Sequence, residues 1–330
     1  GDVPRITYTD NHAALYTVNV ADGDIEKVST GIRRDQIEAA FSPDGQWLAY
    51  TEEQANYHRD LMLRDLSSGQ TTRLSDGAAD VAAPTFSRDG SYLYFAASTN
   101  SGPLQIGLNM TSQEWPYRAA LYAIVLAADG KSPLLPESGD ESVAEDADDE
   151  AADYDEEEEE TEQPTQIDLP GLASRIVALP VAENNYSGLQ VASDGNLYFV
   201  RRVQPGISTE APGDNAASEN ALMRFDFAER ESQIVGKGVN GFAISADGSH
   251  MIIANIDGSL AVAEIGDELE PESLNLSDVR TRIDPREEWG LIFDEAWRME
   301  KEYFYDPNLH GLDWQAIYNR YRPLVEHVVR

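Results

Sequence analysis

Any chemistry in this chain has to be built without sulfur. It contains no cysteine, which removes disulfides, thiolate metal ligands and a cysteine nucleophile. Five histidines are present, His12, His58, His250, His310 and His327, and their spacing matches no metal-ligand pattern. Ser249-His250 places a nucleophile type beside a base type. The pair sits where Gln46-Trp47 and Ser91-Tyr92 sit in a recurring hairpin, so a turn role is expected. Neighbouring strand residues also point to opposite faces, which argues against a working pair. His310 falls in the turn-like Asn308-Leu309-His310-Gly311 and reads as structural. No G-x-S-x-G nucleophile elbow occurs. The expectation is therefore no catalytic residue, no metal and no cofactor in this chain.

The elements that carry these residues repeat. "FSPDGQWLAY" (41–50), "FSRDGSYLYF" (86–95), "VASDGNLYFV" (191–200) and "AISADGSHMII" (243–253) share one grammar: an apolar run, Asp-Gly, and a second apolar run. Asp-Gly tolerates the positive φ of tight hairpins, so each stretch predicts two paired strands. A third apolar run follows, as in "ALYTVNV" (14–20), "DLMLRDL" (60–66) and "ALYAIVL" (120–126), then a turn and a fourth, more polar run such as "IEKVST" (25–30). Four strands per unit, with Asp44 and Asp89 one unit apart, is the period of a propeller blade. The fold predicted is mainly β, with about five blades of which the first lacks its innermost strand, followed by a small α-helical segment. The repeat resembles that of TolB-type propellers over roughly residues 5–277.

With strands labelled a to d from the axis outward, the Asp-Gly turns at 44–45, 89–90, 22–23 and 129–130 fall on one end of the blades. Long b–c connections at 98–118 and 203–219 fall on the other. The tract from Glu137 to Glu162 holds sixteen acidic residues and no lysine or arginine. It reads as a solvated, disordered insertion (about 137–165) in a d–a crossover. That arrangement predicts a plain Asp-Gly end and an elaborated opposite end, where contacts to ligands concentrate.

A net charge of −36 excludes nucleic acid and anionic membrane surfaces as partners. No apolar run is long enough to cross a membrane, and the N-terminal residues show no targeting segment, which leaves the compartment open between cytoplasm and periplasm. Hydrophobic residues make up 41% of the chain, enough for a substantial core.

The last fifty residues change character. Asp284-Pro285-Arg286-Glu287 is a helix start, with an N-cap Asp and Pro at the first helical position. Trp289, Ile292, Phe293, Ala296, Trp297 and Tyr303 then recur at helical spacing. Asp313 opens a second helix bearing Trp314, and Pro323 precedes what reads as a third. Trp289, Phe293, Trp297 and Trp314 are expected to pack against each other or against the elaborated end of the blades. Two such helices cannot close a core alone, so further chain is expected.

"REEWGLIFDEAWRMEKEYFYDPNLHGLDWQAIYNRYRPLV" resembles the first helical segment of the catalytic region in tricorn-type serine peptidases, where it follows a TolB-like propeller; "IDLPGLASRIVALPV" is similar to a propeller segment of the same family. The resemblance implies a propeller portion over 1–280 and a helical opening of the catalytic region over 281–330. It implies peptides as substrates, further PDZ and catalytic domains on the same polypeptide, and a homo-oligomeric parent. The family's serine nucleophile and histidine base have no counterpart among these residues. In the family, arginines on the propeller side hold a peptide's C-terminal carboxylate, because a guanidinium pairs with a carboxylate bidentately. Arg33-Arg34 and Arg201-Arg202 are the candidates here. Two alternatives compete: a non-enzymatic TolB-like binding module, and a prolyl-oligopeptidase-type enzyme, which would carry the missing elbow.

Overall fold

The computed structural model describes residues 4–32, 37–99, 118–135, 164–203, 219–266 and 268–328. Arg33, Arg34, the acidic tract and most of the two long b–c connections lie outside the described residues. Residues 1–9 and 13–274 form one compact unit, and 275–330 with 10–12 form another.

The first unit contains five antiparallel sheets among the described residues. The first is three-stranded: β1 (Arg5–Thr9), β2 (Ala14–Asn19) and β3 (Ile25–Thr30). The second runs β4 (Ala39–Phe41), β5 (Trp47–Glu53), β6 (Arg59–Asp65), β7 (Thr71–Arg73). The third runs β8 (Asp80–Phe86), β9 (Tyr92–Ser98), β10 (Ala120–Val125), β11 (Ile176–Ala178). The fourth consists of β12 (Asn185–Val191), β13 (Leu197–Arg202), β14 (Ala221–Asp226) and β15 (Glu231–Lys237). The fifth consists of β16 (Val239–Ile244), β17 (His250–Asn255), β18 (Leu260–Glu264) and β19 (Glu272–Ser273). The edge strands β4, β8, β12 and β16 lie beside one another in sequence order, so they are the inner strands of successive blades. The predicted four-strand grammar is observed in the last four sheets, and the first sheet has three strands among the described residues.

Local chemistry explains the hairpins. Asp44 Oδ1 accepts from the Ser42 hydroxyl at 2.6 Å and from the Gln46 N–H at 3.1 Å, while Gly45 takes φ +65°. Ser87-Asp89-Ser91 and Ser245-Asp247-Ser249 repeat the same bonds. These three Asp-Gly turns are thus closed by their own side chains.

Packing follows the period of two along each strand. Leu48 and Tyr50 of the second sheet face Leu15 of the first, whereas Ala49 faces Leu93 and Phe95 of the third. Tyr94 and Ala96 turn the other way, onto Leu197 and Phe199 of the fourth sheet. Tyr198 and Val200 then meet Met251 and Ile253 of the fifth. Every interface between blades is a separate apolar layer. Each fully buried Leu or Phe contributes about 1.5–3 kcal/mol.

The third sheet corrects the placement of the acidic tract. Its outer strand is β11, paired with β10 through Tyr122–Ala178 and Ile124–Ile176. The tract therefore lies between strands c and d of one blade, not in a d–a crossover, and it joins the Asp-Gly end. Asp129-Gly130 is followed by a turn at 133–134 and not by a strand. The strand is supplied by residues that follow the insertion. Their return is pinned by the Thr165 N–H, which donates to Asp44 Oδ2 at 2.8 Å, and by Ala128 N–H to Asp168 Oδ2 at 2.7 Å. Arg175 donates to the carbonyls of Val125 and Leu126, each at 2.9 Å, and Leu172 is buried among Leu63, Leu93 and Phe95. The Asp-Gly end is therefore not plain.

In the second unit, α1 (Pro285–Tyr303) starts at the predicted cap: Asp284 Oδ1 accepts the Arg286 N–H at 3.0 Å. A second helix, α2 (Trp314–Tyr321), starts at Asp313, which accepts the Ala316 N–H at 2.9 Å. Residues 322–327 form a 3₁₀ helix rather than a third α-helix, consistent with Pro323 lacking an N–H for the α ladder. Phe293, Trp297, Trp314 and Tyr318 make one aromatic cluster, with Trp297 stacked on Trp314 at 4.2 Å and Phe293 on Trp297 at 5.5 Å. Trp289 makes no ring contact among the described residues. The large exposed apolar residues of α1 are Leu291, Ile292, Met299 and Tyr303, not the clustered rings.

Candidate functional site

The loop-bearing end of the blades carries the charged groups nearest the inner strands. Arg59 opens β6 and Asp80 opens β8. Arg59 Nε and Nη2 donate to the two carboxylate oxygens of Asp80 at 2.9 and 3.0 Å, and the Arg59 backbone N–H adds a third bond at 2.9 Å. Glu38, just before β4, lies 3.9 Å from Arg59 Nη1. Its Oε2 accepts the Ala83 N–H at 2.6 Å. Ala83 adopts φ +51° at a bulge between Ala82 and Thr85, and this turns its N–H out of the ladder toward the preceding blade. The bidentate pair and the bulge amide thus join the second and third blades at the inner rim. Nothing local in the sequence identifies them: the partners are 21 and 45 positions apart.

Arg201 and Arg202 end β13 at the same end of the fourth blade. They do not form one clamp. In the register, Arg201 stands opposite Tyr186 and Arg202 opposite Asn185, so the two side chains leave opposite faces of the sheet. Arg202 Nε donates to Ser187 Oγ at 2.8 Å, and its Nη2 donates to the Asn240 carbonyl at 3.0 Å, reaching the fifth blade. Arg201 makes no hydrogen bond or ion pair among the described residues. Neither guanidinium has a carboxylate within 4 Å among them, in contrast to Arg59. Among the described residues, two arginines without a carboxylate partner therefore stand at the loop-bearing end of a strongly acidic chain.

The other candidates resolve differently. Ser249 Oγ and His250 Nδ1 lie 2.7 Å apart, which corrects the expectation that they diverge: Ser249 still belongs to the turn, and the strand alternation begins only at His250. The arrangement is nonetheless a poor relay. Asp247 accepts from Ser249 N–H, so the carboxylate is committed to the serine side and not to the far nitrogen of the ring. His310 is held structurally, with its Nε2 2.5 Å from the Tyr305 hydroxyl, its Nδ1 3.3 Å from Asp306 Oδ2, and φ at +53°. No cluster of three or more His, Asp or Glu suited to a metal occurs among the described residues.

Two family descriptions match the chain. "Tricorn protease second beta propeller domain" covers residues 2–265, and "Tricorn protease C1 domain" covers 285–329. Among curated proteins, the chain is 28% identical to tricorn protease homolog 1 of Streptomyces coelicolor, over 99% of this chain and 31% of that protein. It is 24% identical to the tricorn protease of Thermoplasma volcanium, over 97% of this chain and 29% of that protein. A crystal structure of the tricorn protease superposes with a TM-score of 0.74 at 16% identity, covering 98% of this chain and 30% of the other. The chain thus spans less than a third of these relatives.

Proposed function

The chain belongs to the tricorn protease family, and we propose that it serves as the gate, filter and scaffold for peptides within a longer serine peptidase. The observation that carries this reading is that Arg201 and Arg202, at the loop-bearing end of the fourth blade, have no carboxylate within 4 Å among the described residues. A peptide presents a carboxylate at its C-terminus, and a guanidinium pairs with it bidentately. Arg33 and Arg34, which lie outside the described residues, are proposed as further carboxylate-binding candidates. The serine nucleophile and histidine base are assigned to other parts of the longer polypeptide, together with PDZ and catalytic domains, and the working enzyme to a homo-oligomer. The order of domains, blades and then C1 helices, favours this reading over a stand-alone binding module.

Two measurements on this chain test it. Incubation with mixed fluorogenic peptides should give background hydrolysis only; turnover abolished by a serine-directed reagent would place the nucleophile inside the chain. Fluorescence anisotropy should show a labelled peptide with a free C-terminus binding more tightly than its amide. Equal binding of acid and amide would remove the carboxylate-recognition role.

A further inference from the structure

The turn between α1 and α2 is built on Asp306. Its Oδ1 accepts the Asn308 N–H at 3.0 Å, its Oδ2 accepts the His310 N–H at 2.8 Å, and its carbonyl accepts the Leu309 N–H at 2.8 Å. Leu309 is buried, and Leu309 and His310 take φ +50° and +53°. Two successive non-glycine residues in the left-handed region carry strain, which these bonds hold in place.

The strained turn fixes His310 between two partners. Nδ1 lies 3.3 Å from Asp306 Oδ2, and Nε2 lies 2.5 Å from the Tyr305 hydroxyl. Asp306 is the one carboxylate within 4 Å of the ring among the described residues. The rings of Phe304 and Tyr305 meet the imidazole edge-on at 5.5 and 5.2 Å. With its proton on Nδ1, facing the carboxylate, the neutral imidazole keeps a lone pair on Nε2 for the phenol O–H. In Ser249-His250 the carboxylate stands on the hydroxyl's side; here it stands behind the base. Carboxylate, imidazole and hydroxyl in that order make an activated nucleophile. Tyr305 is also open to reagents, at 78% exposed.

We propose that Tyr305 is an acyl-acceptor site for activated acyl donors (acyl-imidazoles, aryl esters and thioesters), with His310 as its base and Asp306 positioning the ring. Tyr305 Oη attacks the acyl carbon, and the new O–C bond forms as the bond to the leaving group breaks. The phenol proton passes to His310 Nε2 and from there to the departing group. Amides fall outside this class. A phenolate leaves a tetrahedral adduct more readily than an amine does, so the adduct returns to the starting amide and peptides are not cut here.

The test treats the whole chain with N-acetylimidazole and follows acetylation residue by residue by mass spectrometry. Tyr305 should be acetylated roughly ten times faster than Tyr303 and Tyr321, which are also exposed. That factor is below the roughly 10²–10⁴ of an enclosed base, because water competes at an exposed ring. His310→Asn should bring Tyr305 down to the rate of the other two, since asparagine tolerates the left-handed turn but offers no ring nitrogen. Asp306→Asn keeps an oxygen for the turn and should slow Tyr305 several-fold with no change in melting. In the wild type, the ratio of Tyr305 to Tyr303 acetylation should be lost in acid, where the protonated ring has no lone pair on Nε2. The reagent's own pH dependence cancels in that ratio. A wild-type ratio near one would overturn the proposal. So would a ratio that persists in acid, or in a folded His310→Asn variant, either of which would make His310 a turn clamp beside an accessible phenol. The acid profile needs the wild type alone, so it decides the matter even where a variant fails to fold.

Discussion

Adjacent arginines on a strand serve different neighbours, and the difference is measurable. Arg202 holds Ser187 and Asn240, whereas Arg201 has no such duty among the described residues. Arg201→Gln is expected to weaken binding of a free-carboxylate peptide by about 1.5–3 kcal/mol, the range for a charged hydrogen bond, with no change in melting. Arg202→Gln should lower both binding and stability. Equal losses of stability in the two variants would contradict the geometry. A second single-residue effect is a matter of pH. The Ser67 hydroxyl above all, with the Ser68 hydroxyl and both backbone N–H groups, lowers the Asp65 carboxyl from 3.8 to about 2 against the opposing effect of burial. A carboxyl depressed on folding stabilises above its unfolded value and loses that contribution as pH falls through the folded one. Acid titration of this turn should thus fall between about pH 4 and 2, and Asp65→Asn should flatten that part of the stability curve.

At the scale of the element, the helical unit depends on a clasp as well as on rings. Asp294 of α1 accepts from the Tyr318 hydroxyl and from Arg322 Nε, both at 2.7 Å, and these donors hold its carboxyl below the usual range. Gly290 is buried beneath the same arginine; a Cβ there would lie 2.9 Å from Arg322 Nη2. Gly290→Ala, normally a gain of about 0.5–1 kcal/mol inside a helix, should bring less than that because Arg322 must move off its carboxylate. Trp297→Ala should cost on the order of 2–3 kcal/mol and melt the helices first, read by far-UV circular dichroism. Trp314→Phe should cost much less. The indole Nε1 of Trp314 is buried without an acceptor among the described residues, and removing it returns about 1 kcal/mol that offsets the lost ring area. A Trp314→Phe penalty as large as that of Trp297→Ala would show that the indole nitrogen has a partner.

At the scale of the molecule, the blades form a chain of nearest-neighbour layers. Leu93 and Leu197 are fully buried in layers on either side of the third sheet. Each Leu→Ala should cost about 2–5 kcal/mol, and the two should add nearly independently because the layers share no residue. Ile25→Ser, at an exposed outer strand, should stay within about 0.5 kcal/mol in a denaturant titration. Strong non-additivity of the two leucines would mean that the layers unfold as one.

The sequence by itself determined what is local. Asp-Gly with a serine two residues before the Asp specifies a hairpin, because the turn's own side chains satisfy it. Asp284-Pro285 and Asp313 specify helix starts for the same reason. Alternating apolar residues specify strands, and their recurrence specifies blades. The tertiary structure decided the rest. It placed β11 after the insertion, because a three-residue outer strand is too short for its period to be read, and a long excursion costs little more than a short one: each doubling of a loop adds roughly 0.6 kcal/mol. It separated Arg201 from Arg202, brought Arg59 to Asp80, and carried Arg88 across to Ala246, 158 positions away. Contacts of that kind depend on which blades become neighbours around the axis, and spacing along the chain does not encode it.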